Sequence, residues 1–142
     1  MPRRRAGVEV FSRMDADEAQ ARRALAAVPG FSREAAEAAE LTRLQGLTNR
    51  VFKVETADTR YCLRVPGGGT AAFIDRHAEE AHARAAAAAG IAPEILHFGA
   101  DGVMVTRFVD DAVTLSPKRF RDDPGAVGRA AQALRRLHEG AR

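Results

Sequence analysis

The sequence predicts an α+β fold: a five-stranded antiparallel sheet with one helix inserted after the third strand, plus flanking N-terminal and C-terminal helices. Three observations predict it. Residues 41–65, LTRLQGLTNRVFKVETADTRYCLRV, read as three short strands separated by two turns. Residues 70–89 are rich in alanine and charge and stop at Gly90, the pattern of a helix. Residues 95–98 and 103–109 are short apolar runs joined by Gly99-Ala100-Asp101-Gly102, which reads as a hairpin turn.

Taken in order, residues 1–14 carry no clear pattern. Asp15-Ala16-Asp17-Glu18 reads as a helix start, because acids favour the positive end of the helix dipole. That helix should reach about Val28, stop at Pro29-Gly30, and offer Leu25 and Val28 to the core. Residues 32–39 are poised between a short helix and the entry to a strand. In the second strand, alternation puts Val51 and Lys53 on one face, Phe52 and Val54 on the other. In the third, Cys62 and Arg64 share a face. Pro66 and the glycines at 67–69 break the strand. No Lys-Ser/Thr follows them, so a flexible connector is the simpler reading. Thr70 is the expected cap of the inserted helix. Asp123 and Pro124 open the last helix, which carries Ala130, Ala133, Leu134 and Leu137 as an apolar stripe.

Composition narrows the function. The chain has 142 residues, enough for one domain with a real core. It is 46% hydrophobic and 29% charged, which excludes wholesale disorder. A net charge of +3 is too slight to argue for nucleic acid. The basic run Arg3-Arg4-Arg5 reads as a solvated tail, with a salt-sensitive nucleic-acid contact as the rival reading. The single cysteine, Cys62, excludes an internal disulfide framework and suits a reducing compartment. The longest apolar run, residues 85–92, is far short of the roughly 18 residues of a membrane span. No secretory signal is evident, so a cytoplasmic location is expected. His77 and His82 are not at i, i+4 spacing and lack a third ligand, so no metal site is expected.

The chemistry centres on the first turn, Gln45-Gly46-Leu47-Thr48-Asn49-Arg50. A strand, a loop of small residues and a second strand can fold over a phosphate chain, with backbone N–H groups facing the anion. The third strand places one cation, Arg64, among apolar residues.

The order strand–loop–strand–strand–helix–strand–strand resembles the smaller, nucleotide-binding lobe of protein-kinase-like enzymes. The residues are more specific. Gly46-Leu47-Thr48-Asn49 is similar to the loop of choline/ethanolamine kinases and their bacterial relatives in the aminoglycoside phosphotransferase superfamily. Tyr61-Cys62-Leu63-Arg64-Val65-Pro66-Gly67 resembles their third strand, where arginine often replaces the protein-kinase lysine. Phe73-Ile74-Asp75-Arg76, then Ile91-Ala92-Pro93-Glu94-Ile95-Leu96-His97-Phe98, then Val105-Thr106-Arg107-Phe108-Val109 continue the match in order, over about residues 29–140.

The resemblance implies a role for each part. Gly46, Leu47, Thr48 and Asn49 would lie over the triphosphate of ATP. Arg64 would bind its α/β-phosphates, held in place by Glu79, which stands fourteen residues before Pro93 as the family spacing requires. Val51 and Cys62 would roof the adenine. The carbonyl of Arg107 and the N–H of Val109 would pair with the adenine edge, with Thr106 behind. Residues 1–40 would be an N-terminal tail and helix, 41–109 the nucleotide-binding small lobe with its hinge, and 110–142 a linker and the first helix of an otherwise absent large lobe.

Two departures shape the expectation of function. Gln45 stands where many relatives have a second glycine. The family's catalytic loop, His-x-Asp with Asn five residues later, occurs nowhere, nor does the later metal-binding Asp motif. Asp110, Asp111, Asp122 and Asp123 read as a polar linker and a helix cap. No catalytic or metal-binding residue is therefore assigned, Mg²⁺ would bind only with the large lobe, and the chain alone is expected to be inactive. The rival is a non-catalytic nucleotide- or partner-binding module that docks a separate lobe. Exposed Leu134 and Leu137 would support such docking, or self-association. Neither a nucleic-acid nor a membrane partner is expected. Choline, ethanolamine, an aminoglycoside, thiamine and a sugar alcohol all stay open as the acceptor.

Overall fold

The computed structural model describes residues 6–46, 48–69 and 73–140, with side chains from residue 15 onward. Its elements are α1 (Ala6–Ala26), α2 (Arg33–Ala38), β1 (Glu40–Leu44), β2 (Arg50–Glu55), β3 (Arg60–Val65), α3 (Arg76–Ala88), β4 (Ile95–Phe98), β5 (Met104–Arg107), α4 (Pro117–Asp122) and α5 (Ala126–Gly140). The strands form one antiparallel sheet in the order β1-β2-β3-β5-β4. The expected five-stranded α+β architecture with one inserted helix is present, and two short helices, α2 and α4, add to it.

The two-residue strand period divides the sheet into unlike faces. Phe52, Val54, Leu63, Val65 and Val105 point to one face and are buried against Ala21 and Leu25 of α1, Val28 in the turn that follows it, and Ala36 and Ala39 of the α2 segment. Phe31 and Tyr61 meet edge to face at 5.2 Å on the rim of this core. Arg22 binds the two helices together: its Nη1 donates to the carbonyls of Ala36, Glu37 and Ala39 at 2.8, 2.9 and 3.0 Å. Those carbonyls end a helix and have no intrahelical partner, and a cation there also meets the negative end of the dipole.

Several boundaries differ from the sequence reading. Helix α1 begins at Ala6, so Asp15 is an interior residue rather than a cap. Aspartate is only modestly unfavourable inside a helix, and strong formers around it offset that cost. Residues 32–39 resolve as the short helix α2, capped by Ser32 Oγ accepting from the N–H of Ala35 at 3.1 Å. Helix α3 begins at Arg76, and its cap is Asp75, whose Oδ1 accepts from the N–H groups of His77 and Ala78 at 3.0 and 3.1 Å. The carboxylate adds favourable charge at the helix start. Thr70 lies outside the described residues. Strand β5 ends at Arg107, two residues short of the expected Val109. A helical turn, α4, occupies part of the supposed polar connection, with Ser116 as cap and Pro117 at its first position. Helix α5 starts at Ala126, not at Pro124. Leu134 on α5 is 57% exposed, as expected, but Leu137 is half-buried. No described helix is long and apolar enough to cross a membrane.

Candidate functional site

The second face of the sheet is only partly covered. Leu44, Val51, Arg64 and Met104 fall in one row across it, and Lys53, Cys62 and Thr106 in the next. This brings Val51, Cys62, Arg64 and Thr106 together on one surface.

The glycine turn closes one end of that surface. A Cβ at Gly46 would stand 2.5 Å from the Asn49 carbonyl oxygen and 3.4 Å from Val51 Cγ2, so the turn folds onto Val51 with no room for a side chain. A Cβ at Gly67 would stand 2.1 Å from the carbonyl oxygen of Thr48. Gly67, read from sequence as a connector, is therefore packed directly beneath the turn. Leu47 lies outside the described residues. Gly46, Thr48, Asn49, Gly67 and Gly68 also line a polar cleft of about 380 Å³ with Asp17, Arg43 and Arg50. Register places Arg43 and Arg50 on the core side of the strands, so this cleft opens toward α1, and Arg64 is not among its lining residues. Arg50 is ion-paired with Asp17 of α1, which ties the exit of the turn to that helix.

Arg64 sits where β3, α3 and the β4–β5 hairpin converge. Its Nη2 lies 2.8 Å from Glu79 Oε1 and 3.4 Å from the Gly102 carbonyl oxygen. The guanidinium rests 5.7 Å from the centroid of Phe98. The Arg64 and Glu79 side chains are 18% and 22% exposed, so the pair is shielded yet reachable from solvent. The adjacent Glu80 instead pairs with Arg84 along the helix surface. Sequence reading assigned no role to Arg76, whose Nη1 lies 2.6 Å from the other oxygen of Glu79. The three-residue separation of Arg76 and Glu79 was its visible signal.

Burial pushes the Cys62 thiol above its ordinary range, against the opposing effects of the Thr106 hydroxyl and the Arg64 charge. Thr106 is buried, and its hydroxyl donates to the Arg107 carbonyl at 3.2 Å. The Arg107 N–H donates to the Glu94 carbonyl at 3.0 Å, while its guanidinium meets the Glu94 carboxylate at 2.9 Å. Val109 follows the strand and is 49% exposed. The segment after β5 is stapled to β3: the Phe108 N–H donates to the Arg60 carbonyl at 3.2 Å, and Arg60 pairs with Asp110 at 2.7 Å. Asp111 then turns the chain at a positive φ of 56°. Among the described residues, no group of three or more His, Cys, Asp or Glu side chains is placed to hold a metal ion.

An antiparallel five-stranded sheet with a crossing helix whose carboxylate holds a cation of the third strand defines the small lobe of protein-kinase-like phosphotransferases. Residues 40–142 match the model of the phosphotransferase enzyme family, and the chain belongs to that family. A choline/ethanolamine kinase family protein from Mesorhizobium loti is 44% identical, with a TM-score of 0.69 over 86% of this chain and 38% of that one. An ethanolamine kinase from Plasmodium vivax shares the fold at 21% identity and a TM-score of 0.63, over 78% of this chain and 29% of that one. The choline kinase LicA from Streptococcus pneumoniae does so at 21% identity and a TM-score of 0.55, over 66% and 34%. A further structure is LicA in complex with AMP. The chain thus spans well under half the length of these proteins. Comparison with curated proteins finds no match.

Proposed function

We propose that this chain carries the nucleotide-binding lobe of a small-molecule phosphotransferase of the choline/ethanolamine kinase type, which moves the γ-phosphate of ATP to an alcohol. The observation that carries the reading is the Arg64–Glu79 pair, set on the open sheet face one strand from the glycine turn. Arg64 there offers a guanidinium to the α/β-phosphates, which accept charge-assisted hydrogen bonds from it. Backbone N–H groups of Gly46, Thr48 and Asn49 cover the phosphate chain. Val51 and Cys62 roof the base. The Arg107 carbonyl and the Val109 N–H face its edge, backed by Thr106.

Residues 41–109 form this lobe and its hinge, and residues 110–142 lead into the second lobe. Mg²⁺, where bound, neutralises the transferring phosphoryl oxygens, and its ligands belong to that second lobe. The sequence contains no His-x-Asp catalytic loop, so these residues bind nucleotide without transferring its phosphate. AMP in the LicA complex supports nucleotide as the ligand class. A cytoplasmic setting fits an ATP-dependent enzyme.

Calorimetric titration of the chain with ATP, with and without Arg64→Ala, tests the reading. The expected result is about 10- to 100-fold weaker binding by the variant, the worth of one or two charge-assisted hydrogen bonds. Equal binding by both overturns the assignment of Arg64. A second reading, a non-catalytic module that docks a separate lobe or another copy of itself, draws on α5, where Val127 and Leu134 are 60% and 57% exposed.

A further inference from the structure

Glu79 is shared. One carboxylate oxygen meets Arg64 at 2.8 Å and the other meets Arg76 at 2.6 Å, with Arg76 only 15% exposed. Two guanidiniums around one carboxylate leave one positive charge in excess. A simple Arg64–Glu79 pair would leave none. Arg76 is itself fixed from the far side. Its guanidinium occupies the space a Cβ of Gly102 would need: Cζ and Nε would both stand 2.7 Å from that atom. Gly102 has a φ of +84°, and its carbonyl accepts from Arg64. The hairpin glycine therefore leaves room for one arginine and binds the other. The Nε of Arg64 is buried and has no hydrogen-bond partner within the protein, so this guanidinium is not fully used by its neighbours.

We propose that Arg76 is a positioning and charge-setting residue: by taking one oxygen of Glu79 it orients the carboxylate that holds Arg64 and offsets the charge that would otherwise cancel it. The site then holds a cation whose field is available to an anion, rather than a neutral ion pair. The inference rests on the reading that Arg64 meets the phosphates of a nucleotide.

The test compares Arg76→Met, which removes charge and hydrogen bond, with Arg76→Lys, which keeps the charge. ATP affinity is measured by titration across a series of ionic strengths, and folding is checked by circular dichroism. Arg76→Met should bind ATP about tenfold more weakly, with a shallower ionic-strength dependence. Arg76→Lys should restore that dependence. Wild-type affinity and salt response in a folded Arg76→Met chain would overturn the proposal. So would an Arg76→Lys chain whose salt response matches that of Arg76→Met. Should Arg76→Met not fold, Arg76→Lys against wild type decides, since only a retained charge preserves the salt response.

A readout without nucleotide separates this inference from the functional reading. The Nε–Hε resonance of Arg64 in the free protein should exchange with water faster in Arg76→Met than in wild type. An unchanged exchange rate overturns the positioning role. Failure of the wild-type chain to bind ATP overturns the functional reading, and the positioning role is then decided by that resonance.

Discussion

On one face of the sheet, Phe52, Val54, Leu63 and Val65 are buried beneath α1 and α2; one residue along the same strands, Val51, Lys53, Cys62 and Arg64 are only partly covered. The backbone and the hydrogen-bonded ladder are common to both sets. The difference is parity. The buried set stabilises by removing apolar area from water, at about 25 cal/mol per Å². The open set carries cations held by other side chains, Arg64 by Glu79 and Lys53 by Glu55 at 2.8 Å each. Adjacent positions in β3 should therefore answer different experiments, one reporting stability and the next reporting binding.

The largest expected effect is Leu63→Ala. Leu63 is fully buried at the centre of the core, and truncation there should cost about 2–5 kcal/mol in guanidinium unfolding. The folded fraction should keep its ATP affinity. A loss below about 1 kcal/mol, the scale of an ordinary substitution, would erase the contrast between the faces.

A smaller effect sharpens the contrast within the open face. Arg64→Ala leaves Glu79 paired with Arg76, so the carboxylate stays compensated. Glu79→Gln instead leaves two guanidiniums facing each other with no carboxylate between them. Glu79→Gln should be the more destabilising by about 1–3 kcal/mol, the penalty of a partly buried charge without its partner. Equal unfolding midpoints would show that solvent compensates the arginines.

The smallest effect concerns Cys62. Burial disfavours the thiolate, so the folded chain ionises this group at higher pH than the unfolded chain does. The thiol consequently contributes stability at neutral pH that is lost as pH rises past the ordinary thiol range. Alkylation should be slower in the folded chain than in the denatured one, since the thiolate is the nucleophile. Removing the Arg64 charge should slow it further, and added ATP should protect the thiol. Rapid alkylation of the native chain at neutral pH would show that the open face is less covered than its geometry indicates.

What was legible in the sequence follows from how locally each feature is encoded. The strand faces were readable because a period of two survives in five or six residues, as in Val51-Phe52-Lys53-Val54. Arg64 and Glu79 were reached through resemblance, and they prove to be in contact. Helix starts are less legible because threonine and aspartate, here Thr70 and Asp75, are both cap-type residues, and the sequence alone does not rank them. The start of α1 at Ala6 is hidden for the converse reason: no Ser, Thr, Asp or Asn precedes it, although Val10, Phe11 and Met14 fall at helical spacing. Helix α4 has a local signal in Ser116 followed by Pro117, a cap and a first-turn proline. Arg76 was named as part of a matching segment but not as a contact. Its packing against Gly102 joins positions 26 residues apart and leaves no local periodicity to read.

The family match begins at residue 40, yet the layer formed by α1 and α2 belongs to the same core as the strands. A shortened chain trimmed to that boundary would turn Val54, Leu63 and Val105 toward water, making a half-naked sheet prone to stick to its own copies. It would also cut the Asp17 tether from Arg50 and loosen the root of the glycine turn. Anyone engineering this lobe as a minimal unit should therefore keep its first helices, because they are the floor on which the open face of the sheet is laid.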